Sequence, residues 1–392
     1  MLKYWLWLAT RKGLGARDAC MVARYFSSPE TAFLASEKEL RAVPGLRSVQ
    51  PLLDKELKTS ETILQRCREL GIGIITMQDA AYPQRLRTLD DAPVVLYHKG
   101  TLTDFSVPCV AVVGTRKASV YGMTQARRLS YGMAKCGCRV VSGGASGVDT
   151  QALRGALMGG GTAVAVLGCG LDIDYPKENS RLFAEVMQNG CLLSEYPPGT
   201  APYRGNFPVR NRIISGISLG VLVTEAPARS GALITADHAL EQGRDVFVIP
   251  ANVGVDTFGG NLKLLRDGAI PVGDAWDILQ EYAALYPDKL KKQDVRMPKS
   301  DVQPEPAEEE KGKKVIDKPK VKAYIDLKDI ADTISPHERA LLELLQNGAM
   351  HIDDLVEKTG SAAGSVLAAL TVLEVRGIVT RPSPRMYELA EK

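Results

Sequence analysis

The chain has 392 residues, 45% of them apolar and 24% charged, which excludes whole-chain disorder and a collagen-like or disulfide-dense scaffold. Its net charge of +3 argues against a broadly basic nucleic-acid-binding domain. Divided along the chain, that charge is +4 over residues 1–100, zero over 101–290, +2 over 291–326 and −3 over 327–392, so any anion site must be local.

The seven cysteines, Cys20, Cys67, Cys109, Cys136, Cys138, Cys169 and Cys191, include no CxxC pair. They predict free buried thiols in a reducing compartment and no structural metal. The apolar start from Met1 to Thr10 is broken by Arg11 and Lys12 and is too short to span a membrane. A cytoplasmic protein without membrane contact is expected.

Residues 1–70 read as short helices. Apolar residues recur at helical spacing through Ala19–Tyr25 and Leu52–Leu70, with glycine turns at Gly13-Leu14-Gly15 and Val43-Pro44-Gly45-Leu46. Such a module either packs on a core or offers backbone N–H groups to phosphates. Residues 71–289 alternate apolar strands with amphipathic helices. Strands are expected near Ile74–Thr76, Val94–Tyr97, Val110–Val113, Arg139–Val141, Ala163–Leu167, Leu192–Leu193, Val221–Val223 and Val246–Ile249. This is the pattern of an α/β, doubly wound parallel sheet, in which ligands bind outside the carboxyl ends of the strands.

Residues 290–326 are rich in Lys, Glu and Pro and read as a disordered charged linker. Residues 327–392 predict three helices, Pro336–Gln346, Ile352–Lys358 and Ser361–Val375. Two strands, Gly377–Arg381 and Met386–Leu389, then flank a proline turn. Three helices and a hairpin make a winged-helix domain.

Five strand ends carry unusual loops. Gly114, Thr115 and Arg116 follow the first buried strand. The turn is not G-x-G-x-x-G, so the dinucleotide fingerprint fails there. Arg116 is either a fork for a phosphate or a solvated side chain. Ser142-Gly143-Gly144-Ala145-Ser146-Gly147 lies between a strand and a helix, where bare backbone N–H groups and the helix N-terminus suit an anion. A tight packing turn is the alternative. Asp149 is expected to cap that helix.

Leu167–Asn179 adds Tyr175, Lys177 and Asn179; Tyr175 either stacks on a base or packs. Cys169 reads as a small buried residue rather than a nucleophile. Tyr203–Ser215 clusters Arg204, Arg210 and Arg212 around Asn206, Asn211 and Phe207. This segment suits either a nucleic-acid groove or a solvated basic loop. Glu225 is the only carboxylate open to a hydrolase reading, and a structural role fits it better.

The motifs VAVVGTRKASVYG, VVSGGASGVDTQALRGAL, VAVLGCGLDIDYPKEN, LLSEYPPGT, NFPVRNRIISGIS and SGALITADHALEQGRDVF occur in that order. Together they resemble the DNA-processing protein A (DprA/Smf) family. The resemblance implies an extended Rossmann-like sheet with an N-terminal sterile-alpha-motif-like helical domain and a C-terminal winged helix. It implies a homodimeric protein, not an enzyme and without a cofactor, that binds single-stranded DNA. Such a protein protects incoming DNA in natural transformation and loads RecA recombinase onto it. Carried onto this sequence, the DNA-binding residues are Gly114, Thr115, Arg116, Ser142, Gly143, Gly144, Gly147, Lys177, Asn179, Asn211 and Arg212. Two positions depart from the family pattern. Ser146 stands where a basic residue is usual, and Leu153 where histidine is usual.

Ser361–Val375 contains no Lys or Arg, so the winged helix is expected to meet protein rather than duplex DNA. The competing enzyme is a Rossmann-like nucleoside monophosphate phosphoribohydrolase. Its Pro-Gly-Gly-x-Gly-Thr-x-x-Glu motif is missing here. An NAD-dependent oxidoreductase is disfavoured by the failed fingerprint.

Overall fold

Nine strands form one sheet in the order β1-β2-β6-β5-β4-β3-β7-β8-β9. They are β1 (Gly73–Thr76), β2 (Val95–Gly100), β3 (Cys109–Val113), β4 (Arg139–Ser142), β5 (Ala163–Leu167), β6 (Gly190–Ser194), β7 (Gly220–Val223), β8 (Asp245–Val248) and β9 (Ile270–Pro271). The computed structural model describes residues 1–252, 254–293, 295, 334–346, 348–383 and 386–390. The linker expected at 290–326 falls almost wholly outside the described residues. The chain divides into two compact units, Met1–Pro306 and Ala307–Lys392.

Every residue of β3, β5, β6 and β7 is buried. Helices cover both faces, which is why these strands read as unbroken apolar runs. Strands β3 to β9 pair in parallel. The first two strands differ from the all-parallel expectation: β1 pairs antiparallel with β2, and β2 antiparallel with β6. Between β1 and β2 the chain forms only the one-turn helix α7 (Gln84–Arg87), whereas a parallel return requires a crossover.

The helices preceding the sheet are α1 (Leu2–Thr10), α2 (Ala16–Tyr25), α3 (Pro29–Leu34), α4 (Glu37–Arg41), α5 (Gln50–Leu53) and α6 (Lys58–Leu70). Their buried side chains, Trp7, Leu8, Leu40 and Leu52 among them, join the same core as the sheet. Each such side chain contributes about 1.5–3 kcal/mol. The sheet's own helices are α8 (Val120–Lys135), α9 (Val148–Met158), α10 (Ser180–Gln188), α11 (Asn206–Ile217), α12 (Gly231–Glu241), α13 (Gly259–Arg266) and α14 (Ala275–Ala283). None of the described helices is long and apolar enough to cross a membrane.

The topology fixes where a ligand would sit. The chain lays β4, β5 and β6 outward from one side of β3, then returns to place β7 on its other side. In open α/β sheets ligands bind outside the carboxyl ends of the strands at such a reversal, here between β3 and β7. Because these strands are parallel, the loops after β3, β4, β5, β6 and β7 emerge along the same edge.

The second unit holds α15 (Pro336–Leu345), α16 (Ile352–Thr359) and α17 (Ala363–Val375), with β10 (Met350–His351), β11 (Val379–Ser383) and β12 (Met386–Leu389) in the order β10-β12-β11. Leu341, Leu345, Leu355, Val366, Leu370 and Tyr387 are among its buried core. This is the winged-helix arrangement expected from the sequence.

Candidate nucleic-acid interface

The loop after β3 and the loop after β4 are bound backbone to backbone. Val148 N–H donates to Thr115 O at 3.3 Å, and Thr115 N–H donates to Glu225 O at 2.7 Å. Gly147 makes this contact possible. Its φ is +79°, and a Cβ there would lie 2.5 Å from Arg116 O and 2.6 Å from Thr115 O. Only glycine tolerates both demands. The turn places the N-cap of α9 at Gly147, two residues before the expected Asp149.

Asp149 is therefore not the helix cap. It lies inside the first turn, and its carboxylate accepts the Ala145 N–H at 3.2 Å, bracing the loop instead. Burial pushes the Asp149 carboxyl up to about 6, against the pull of Arg210.

Arg210 is buried beneath the same loop. Its guanidinium donates to Gly143 O at 2.7 Å, to Val166 O and, through Nε, to Asn211 Oδ1 at 3.2 Å. Burial draws its pKa down to about 10, opposed by Asp149. Gly143 has no room for a side chain, since a Cβ would meet Asp149 Oδ2 at 2.6 Å and Arg210 Nη2 at 2.8 Å. The solvated basic loop considered for this segment is not what forms. Helix α11 begins at Asn206, which places Arg210 on its inward face.

Several cations of these loops stay on the surface, Arg116, Lys117, Lys177 and Arg204 among them. Arg116 is exposed, and its guanidinium lies 5.2 Å from the Phe207 ring centroid, within cation–π range. Arg210 approaches the same ring at 6.0 Å, and Tyr175 stacks on it at 5.5 Å with 29° between the planes. Phe207 thus joins the loops after β3 and β5 to the start of α11. Lys177 is also exposed, and neither Lys177 nor Arg116 forms a salt bridge among the described residues.

The other expected residues fall into three groups. Gly114, Thr115, Gly144 and Gly147 build the two interlocked loops. Ser142 and Asn179 are buried supports. Ser142 Oγ donates to Val112 O at 2.7 Å, and Asn179 Nδ2 donates to Gly144 O at 2.9 Å. Asn211 sits behind Arg210 and donates to Gly231 O at 3.2 Å. Arg212 is not brought to the cluster. Its guanidinium donates to both Glu195 oxygens at 2.7 and 2.8 Å and pairs with Asp91 at 3.3 Å.

Ser146 Oγ donates to Glu178 Oε1 at 2.6 Å, so the position that is usually basic here tethers a carboxylate beside Lys177. That hydrogen bond lowers the Glu178 pKa. Glu225 is buried and accepts Ser119 N–H and Oγ–H at 2.9 and 2.8 Å, a structural role. Cys169 is buried, and burial pushes its thiol up to about 11, which disfavours the nucleophilic thiolate.

Known proteins share this architecture. The family model for DNA recombination-mediator protein A matches residues 73–283, and that for the DprA winged helix domain matches residues 327–382. The chain is 32% identical over 401 residues to Protein Smf of Synechocystis sp., covering 98% of each chain. It is 35% identical to DNA processing protein DprA of Streptococcus pneumoniae, over 71% of this chain and 98% of that one. The X-ray structure of DprA from the same species superposes with a TM-score of 0.64 at 34% identity, covering 72% of this chain and 98% of that one. Matched in its sheet and in its winged helix, and alongside Protein Smf over nearly its whole length, the chain belongs to the DprA/Smf family.

Proposed function

We propose that this protein binds single-stranded DNA along the carboxyl edge of its sheet. The observation that carries the reading is the placement of Arg116 and Lys177. Both are exposed cations without salt bridges among the described residues, set beside a glycine loop and the aromatic Tyr175–Phe207 stack. Phosphates would meet the two cations and the backbone N–H groups. Bases would lie against the rings, a contact that every base can make. Family membership supports a DNA-processing role in natural transformation, in which the protein shields incoming strands and loads RecA recombinase onto them. In this reading it acts in the cytoplasm as a homodimer, not as an enzyme, and two linked pockets add avidity.

The test is a fluorescence-anisotropy titration with single-stranded and duplex oligonucleotides at two salt concentrations. Arg116→Ala combined with Lys177→Ala is expected to abolish single-strand binding. Both side chains are exposed, so the melting temperature should hold within the effect of surface substitutions, about 0.5 kcal/mol. Unchanged binding would overturn the pocket. A RecA filament assay and a nucleotide-release assay on the same protein separate the loading role from the hydrolase alternative, with release expected to stay blank.

A further inference from the structure

Lys177 stands on an arch whose far foot is Asn179. Asn179 ties the arch to the glycine loop through its hydrogen bond to Gly144 O. Midway, Tyr175 rests on Phe207. The near foot is Asp172, whose side chain is only 9% exposed. Its Oδ1 accepts the Gly199 N–H at 2.8 Å, fastening the loop after β5 to the loop after β6. A second bond fastens the same two loops, from Gly170 N–H to Thr200 O at 2.9 Å. The other Asp172 oxygen, Oδ2, accepts from Arg66 Nη2 at 2.9 Å. Arg66 belongs to α6, so the helices that precede the sheet reach the edge where the cations lie.

An acid close to a phosphate site opposes binding unless a cation answers it. Here Arg66 answers it, and both oxygens are committed to holding backbone and helix. We propose that Asp172, held by Arg66, is the positioning residue that sets Lys177 at phosphate-binding height. The inference rests on the reading of the Arg116–Lys177 pocket. Neither Asp172 nor Arg66 touches DNA in this account. They act through the arch.

The experiment is a double-mutant cycle on the full chain, titrated with a fluorescent oligothymidylate at several salt concentrations. Asp172→Ala is expected to weaken binding about tenfold, within the range of coupled neighbours. The slope of log affinity against log salt should fall by roughly 0.7, the loss of one phosphate contact on a single strand. Adding Lys177→Ala to Asp172→Ala should weaken binding no further. Arg66→Ala should cost about two- to threefold, in keeping with a half-exposed ion pair, and Arg66→Lys should restore it.

A destabilised loop with no positioning role would lower the melting temperature but leave the salt slope unchanged and the two substitutions additive. That result overturns the inference. If Asp172→Ala fails to fold, Arg66→Ala carries the same cycle with Lys177→Ala, and additivity there overturns it equally. The control is Lys177→Ala alone. Wild-type affinity in that variant removes the pocket reading and this inference together. A weakened Lys177→Ala beside an unaffected Asp172→Ala removes only this inference.

Discussion

Asp149 and Arg210 lie together beneath the glycine loop, and their burial makes both sensitive to change. The Asp149 carboxyl titrates near 6 in the fold against its ordinary 3.8. The folded chain therefore holds this proton to higher pH than the unfolded chain does. That contribution to stability is complete below about pH 4 and is lost as pH rises through about 6. Asp149→Asn cannot ionise, so its stability margin over wild type in urea unfolding should grow from about pH 4 to about pH 7. A margin that ignores pH would refute the assignment. Arg210→Ala leaves the buried Gly143 and Val166 carbonyls without their donor and should destabilise by about 1–3 kcal/mol. Ser146→Arg has the opposite character. It frees Glu178 and adds a cation at the loop, so single-strand affinity should rise and the salt slope steepen by roughly 0.7. Arg116 and Lys177 were legible in the sequence as cations in glycine-bearing loops. Arg212 misled because residue type alone does not reveal Glu195 and Asp91 as its partners. Asp172 was invisible for a similar reason, since its partner Arg66 lies 106 positions away.

At the scale of elements, strands buried on both faces were easy to read, and Ala163–Leu167 is found as expected. Helix starts were harder. Helix α11 begins at Asn206, whereas its apolar periodicity becomes visible only from Asn211. The intervening Phe207-Pro208-Val209-Arg210 lacks an alternating apolar face, so the inward turn of Arg210 left no pattern to detect. The glycine loop is held in a narrowly constrained conformation. Gly147→Ala forces a Cβ against two carbonyls at positive φ and should cost about 1–3 kcal/mol, with single-strand binding lost at temperatures where the chain is still folded. Helix α17 provides a contrast. Gly364, Ser365, Leu367, Ala368, Thr371 and Val372 are exposed on it, a surface with no cation for a phosphate and little polarity for base edges.

For the whole molecule, the two compact units carry different chemistry. The cluster of Arg116, Lys177 and the glycine loop lies entirely within Met1–Pro306, while Ala307–Lys392 has its own core. A chain ending after Pro306 should keep its single-strand affinity per site, and residues 327–392 alone should leave a fluorescent duplex unshifted. Duplex affinity in that segment comparable to the full chain would contradict the reading of α17. The modest net charge is consistent with this arrangement, because the sheet places its cations where its strands end rather than spreading them over a face.

The far rim of that sheet has a further consequence. Strand β9 is two residues long and ends in Pro271, which has no N–H to offer a neighbouring chain. An edge so short and lacking that donor cannot seed growth of the sheet from one molecule into the next. Copies crowded together at high concentration are therefore protected at this rim from strand-by-strand polymerisation. Pro271→Val, which supplies the missing donor, is expected to raise light scattering on prolonged incubation.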